Sequence, residues 1–278
     1  MSAPIYLNSN GHRAAIKWHR GRRRATDPVF VAERILEGMR IGASVEVDLV
    51  VHGDHGFAVL HDLTLERETT GTGKVRDASA AVLRDLHLRG NDGEPIADKV
   101  LLLEDLCLGL VRQGMYPDAL LQLDYKEDLV ALTPQVIADF ERHTAPIAGS
   151  LILSGADFKA IEALATAVPG IATGYDPCYG ESLARLEVTG DYRTFIDQAL
   201  ATASDANMIY LDYRILLAAA DIGIDLVAQV HADGRKVDAW TINHITPQSI
   251  VQVERLLALK VDQITTDDPE GLARAFSS

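Results

Sequence analysis

Short β-like runs alternate with helical stretches along this chain. That alternation limits the possible folds more than any other feature. The strand-like runs are 14–18, 44–50, 120–124, 150–153, 171–174, 208–211, 237–242 and 262–265. Between them, 29–39 carries Phe30, Ile35 and Leu36 at helical spacing, and 160–167, 192–203, 213–221 and 249–259 read similarly. Asp27-Pro28 and Thr246-Pro247 each read as an N-cap followed by proline at the first helical position. Strands alternating with helices imply a parallel sheet. Eight such units within 278 residues fit an α/β fold of the (β/α)8 TIM-barrel type, which commonly occupies ~250 residues as one domain. Residues 1–278 therefore read as a single domain. An open doubly wound sheet is the alternative. It lacks its usual support, because His19-Arg20-Gly21 follows the first strand where a glycine-rich phosphate loop would stand.

One segment breaks the alternation. Residues 57–61 are strand-like, yet too few residues separate them from the second strand for a parallel crossover, which needs a dozen or more. They must return antiparallel, with His52-Gly53-Asp54 in the turn. Such a hairpin brings His61 to the barrel rim. The stretch from about 52 to 118 then reads as a β-hairpin and loop insertion after strand 2. Its Gly71, Gly73, Gly90 and Gly93 suggest ordered loops rather than one helix.

Composition removes several functional classes. Forty acidic against twenty-six basic residues give a net charge of −14, which argues against a nucleic-acid partner. No apolar run approaches the ~20 residues of a membrane helix, and residues 1–11 show no signal-peptide pattern, so no membrane partner is expected. Cys107 and Cys178 are the only cysteines. A disulfide framework and a cysteine-built metal site are excluded by count, and a reducing cytoplasm is the expected location. Oligomeric state is not written in the pattern.

Active sites of such barrels form at the C-terminal ends of the strands. Strand one ends in His19-Arg20, and strand two contains Glu46 and Asp48. The hairpin returns with His61-Asp62, strand three ends in Asp124-Tyr125-Lys126, and strand seven holds Trp240. Glu46 and Asp48 lie two apart on a strand and so share a face, while Val45, Val47 and Leu49 take the other. Buried carboxylates need a cation between them. With Asp124 they make three hard oxygen ligands suited to Mg²⁺ or Ca²⁺. The other reading of the same spacing is that they simply pair with Arg20 and Lys126. His19 and His61 are the natural acid–base pair, and Arg20 and Lys126 would add positive charge for a phosphoryl oxygen.

In order along nearly the whole chain, the sequence resembles the glycerophosphodiester phosphodiesterase family. The matching stretches begin with His19-Arg20-Gly21, Val45-Glu46-Val47-Asp48 and Leu60-His61-Asp62. Residues 65–75, Leu123-Asp124-Tyr125-Lys126, Trp240-Thr241-Ile242-Asn243 and Thr265-Thr266-Asp267-Asp268-Pro269 continue the match. The resemblance implies a barrel phosphodiesterase with one divalent cation and a small-molecule phosphodiester substrate. Position by position, it makes His19 and His61 catalytic, Glu46, Asp48 and Asp124 metal ligands, and Arg20 and Lys126 phosphate contacts. Trp240 would line the substrate pocket.

Three departures stand out. Thr26-Asp27-Pro28-Val29 replaces the family's Pro-Glu-Asn-Thr, and Asp124 stands where Glu is usual. Arg20, Arg22, Arg23 and Arg24 crowd one loop. That run reads either as a solvated basic patch or, through Arg22 and Arg24, as a grip on an anionic or hydroxyl-rich substrate group. The expected reaction is metal-dependent hydrolysis of a glycerophosphodiester or related sugar phosphodiester to an alcohol and a phosphomonoester. The alternatives are a lysophospholipase D-like enzyme and a degenerate barrel that binds a diester without cleaving it.

Overall fold

The computed structural model describes residues 5–178 and 180–277. Its strands are β1 (Tyr6–Ser9), β2 (His12–Trp18), β3 (Ser44–Val51), β4 (Phe57–Val59), β5 (His87–Arg89) and β6 (Pro95–Lys99), then β7 (Leu120–Tyr125), β8 (Leu151–Gly155), β9 (Ala172–Tyr175), β10 (Met208–Asp212), β11 (Lys236–Ile242) and β12 (Gln263–Thr266). Eight of them, β2, β3 and β7 to β12, are parallel neighbours in the order β2-β12-β11-β10-β9-β8-β7-β3, and β2 also pairs with β3. The sheet is therefore a closed (β/α)8 barrel, and all eight strand-like runs of the sequence fall on these strands. The hairpin is also present: β4 returns antiparallel along β3, with Leu49 opposite Val59.

The helices are α1 (Ala32–Ile41), α2 (Ala80–Asp85), α3 (Leu103–Gln113), α4 (Pro134–Thr144), α5 (Phe158–Ala167), α6 (Ser182–Thr189), α7 (Tyr192–Thr202), α8 (Tyr213–Asp221), α9 (Leu226–Ala232), α10 (Pro247–Ala258) and α11 (Pro269–Ala275). Thr246 caps α10 as expected, in a capping box with Ser249 and Pro247 at the start. Asp27 does not cap α1. That helix starts at Ala32, because Phe30 takes a left-handed φ of 60° and breaks the path from Pro28. Asp27 instead accepts the backbone N–H groups of Arg23 and Arg24. The segment read as loops holds more order than that. It carries α2, an antiparallel β5–β6 hairpin, and α3, the regular helix that precedes the third barrel strand, β7. Its glycines mark turns only as far as Gly93. Among the described residues no single helix is long and apolar enough to cross a membrane.

Two cores follow from strand alternation. Outward residues such as Ile16, Val45, Val47, Leu121, Leu153 and Ile209 join the helix faces in one large apolar shell. Inside the barrel the apolar part is small: Ile152, Met208 and Tyr210, with Leu120, Ala172 and Trp240 against them. The rest of the lumen is polar. Lys17 and Asp238 are 2% and 0% exposed and form an ion pair of 3.0 Å. Gln263 donates to Ser44 at 2.7 Å, and Thr265 to Asp238 at 2.7 Å. A parallel barrel usually fills this space with branched aliphatic side chains.

Candidate active site

The polar lumen opens at the C-terminal ends of the strands into a cavity of about 450 Å³. Register sets its acidic floor. Asp48 on β3 is level with Asp124 on β7, and Asp124 is level with Ser154 on β8. Glu46 and Asp48 point inward from the same strand, and both are buried. Ligand oxygens of Glu46, Asp48 and Asp124 all lie within 4.8 Å of one another.

Two cations face this cluster. Lys126 Nζ is 2.6 Å from Asp48 Oδ1 and also pairs with Asp124. Arg20 Nε is 3.1 Å from Asp48 Oδ2, and its backbone N–H donates to Glu46 at 2.8 Å. The turn at His19–Gly21 aims Arg20 this way. Arg20 and Gly21 both have left-handed φ, and a Cβ on Gly21 would stand 2.6 Å from Ile35. Both sequence readings of the carboxylates thus coexist: the ion pairs with Arg20 and Lys126 are formed, and so is the three-carboxylate cluster.

Charge in the cluster is not balanced. Burial, and then Asp48, push Glu46 well above the usual carboxylate range against the pull of Lys126. Burial would also raise Asp48, but Lys126 and Arg20 outweigh it and hold it low. Three carboxylates face two cations, and the buried Asp48 Oδ2 accepts no hydrogen bond. These hard oxygen donors fit one divalent cation. Mg²⁺ and Ca²⁺ both match the donor chemistry.

The two histidines line the same cavity. Each is held at Nδ1 by a carboxylate: His19 by Asp267 at 2.7 Å, His61 by Asp62 at 2.9 Å. Burial lowers the His19 pKa from its ordinary value, and Asp267 works against that shift. Arg67 grips Asp62 and holds its carboxyl down at about 2. Glu68 accepts the backbone N–H groups of His61 and Asp62 at 2.9 and 3.0 Å and so fixes the end of the hairpin.

Trp240 lines the cavity, and its buried Nε1 has no hydrogen-bond partner. Arg22 and Arg24 are not in the lining. Arg22 lies on Asp267, and the half-exposed Arg24 lies near Asp27. Several lining residues were not singled out in the sequence: Lys17, Gln122, Asp176, Tyr210 and Asp212 among them. Inward parity on their strands was the available signal for Lys17, Gln122 and Tyr210. Burial pushes the Asp176 carboxyl up to about 8.

No family model and no curated protein matches the chain. Solved structures do. A glycerophosphoryl diester phosphodiesterase of Parabacteroides distasonis is similar at 20% identity and TM-score 0.67, over 98% of this chain and 89% of that one. A glycerophosphodiester phosphodiesterase of Thermotoga maritima is similar at 19% identity and TM-score 0.64, over 95% of this chain and 99% of that one. A phosphodiesterase of Oleispira antarctica, solved in complex with the product sn-glycerol-3-phosphate, is similar at 20% identity and TM-score 0.66, over 95% and 96% of the two chains. At such identities the likeness is one of fold: this chain has the barrel of the glycerophosphodiester phosphodiesterases.

Proposed function

We propose that the chain is a metal-dependent phosphodiester hydrolase that cleaves a glycerophosphodiester or related sugar phosphodiester to an alcohol and a phosphomonoester. One observation carries this: two histidines, each tethered at Nδ1 by a carboxylate, face one cavity with a three-carboxylate cluster and two cations. The product held by the Oleispira antarctica neighbour is a phosphomonoester of the kind expected here.

Glu46, Asp48 and Asp124 would hold the divalent cation, which when bound supplies Lewis-acid polarisation of a phosphoryl oxygen. Ionised Asp267 and Asp62 can only accept hydrogen bonds. Each therefore keeps a proton on Nδ1 of its histidine and leaves Nε2 to accept or donate one. One histidine takes the proton of the nucleophile, either water or a neighbouring hydroxyl of the substrate, and the other gives one to the leaving alcohol. Where the hydroxyl attacks, water then opens the cyclic phosphate to the phosphomonoester. Arg20 and Lys126 offset the negative charge that grows on the phosphoryl oxygens. Trp240 gives the substrate an apolar wall.

A second reading rests on Lys126, whose ammonium bridges Asp48 and Asp124 as a built-in cation. In that case the barrel binds a diester without cleaving it. The deciding assay follows release of phosphomonoester and alcohol from glycerophosphocholine and sugar-linked diesters, with and without a chelator. Release that the chelator stops and Mg²⁺ or Ca²⁺ restores is expected. Binding of a diester with no release from any would leave the second reading standing.

A further inference from the structure

The arginine run and the insertion meet at one point. The tip of the β5–β6 hairpin crosses to the loop after β2, where the Asn91 amide donates to the carbonyls of Ala25, Thr26 and Asp27 at 3.4, 3.2 and 3.4 Å. Its Oδ1 accepts from Arg22 Nη2 at 3.1 Å. The other end of the guanidinium, Nη1, is 3.2 Å from Asp267 Oδ1, the oxygen that holds His19. The remaining arginines of the run go elsewhere: Arg23 to Glu37 and Glu270, Arg24 to Asp27.

We propose that Arg22, clasped by Asn91, is a positioning residue for His19 and acts through Asp267. Building on the hydrolase reading above, this assigns a task to the one arginine of the run that reaches the site's carboxylates beyond Arg20. The argument is geometric. An imidazole needs a fixed carboxylate to keep one tautomer and one orientation, and a carboxylate with a single partner can swivel. His61 has the complete device: Nδ1 on Asp62, and Asp62 in a two-nitrogen grip from Arg67. His19 shows the same three parts as Nδ1, Asp267 and Arg22. The planar fork of Arg22 faces two oxygens at once, Asp267 Oδ1 as an ion pair and Asn91 Oδ1 as a hydrogen bond, which a lysine ammonium could not hold in one plane. The β5–β6 hairpin thereby sets an angle in the site without entering the cavity.

The test combines kinetics with ¹⁵N NMR of the histidine side chains in the full chain, with the His19 signal assigned by its loss in H19Q. For R22A, kcat is expected to fall about 10- to 100-fold, the scale of a small misplacement at a reacting group, with KM changed less than about twofold. The His19 ring shifts should move from the Nδ1–H tautomer toward a mixture. R22K should recover part of both. N91A should move the His19 shifts the same way by less, and it serves where R22A does not fold. A rise in KM at unchanged kcat would make Arg22 a substrate contact and overturn the proposal. So would unchanged His19 shifts in R22A and N91A. The NMR arm needs no turnover, so a wild-type protein that cleaves no diester would sink the proposed function while the tether is still decided.

Discussion

Replacing Lys17 by methionine removes the cation from the middle of the barrel. The two side chains of the Lys17–Asp238 pair are 2% and 0% exposed, so solvent screening gives no discount. Lys17 also donates to Gln122 and stands 4.4 Å over the Tyr210 ring. In K17M, Asp238 keeps, among the described residues, the Thr265 hydroxyl at 2.7 Å as its side-chain hydrogen bond. Stranding one partner of a buried pair costs about 3–5 kcal/mol. At about 2 °C per kcal/mol for a chain of this length, the melting temperature drops by about 6–10 °C. Urea unfolding and calorimetry of K17M, D238N and K17M/D238N measure it. Asparagine keeps an acceptor for Thr265 and removes the stranded charge, so the double variant should regain at least half of the K17M loss. A K17M loss below about 1 kcal/mol, or a double variant no better than K17M, would mean that water screens the lumen and would refute the reasoning.

Two further outcomes are expected. His19→Ala should lower turnover by about 10²–10⁴-fold, the usual weight of a positioned proton carrier, with an unchanged circular dichroism spectrum; near-wild-type turnover would remove His19 from the chemistry. Burial, with Glu104 nearby, pushes the Cys107 thiol up to about 12, and burial with Asp176 raises Cys178 well above its ordinary value. A raised thiol pKa means a protonated, unreactive sulfur at pH 8. A chromogenic disulfide should therefore titrate neither cysteine quickly in the native protein and both in denaturant, and fast native reaction of either would contradict its raised pKa.

The barrel was legible because β-type runs with outward apolar residues that feed the shell recur between helical stretches. What escaped has physical reasons. β1 has four residues, too few to show a period. β6 is exposed at four of its five positions and so carries no apolar pattern. The Pro28 signal misled because Phe30 takes a left-handed turn before α1 begins. In the site, the strand-end residues could be found from parity and motif. The pairing of His19 with Asp267 and of Arg22 with Asn91 could not. Asp267 is 248 residues from His19, and Asn91 is 69 from Arg22, so closure of the barrel makes the first pair neighbours and docking of the β5–β6 hairpin the second.

That closure also bears on the shorter third carboxylate. Ser154 Oγ donates to Asp124 Oδ1 at 2.5 Å, and Gln122 Nε2 donates to Ser154 at 2.7 Å. Gln122 Oε1 accepts from Lys17, which pairs with Asp238, which accepts from Thr265. An unbroken polar chain thus runs from β12 through β11, β2 and β7 to β8 and ends on a carboxylate of the cluster. Aspartate on β7 has one rotatable bond fewer than glutamate, so its oxygens follow the strand and this chain closely. A lumen packed with aliphatic side chains would close the barrel as well, but nothing in it could hold Oδ1 of Asp124. The buried ion pair, a weak source of stability in itself, is retained here where it fixes the height and angle of a carboxylate that faces the cavity.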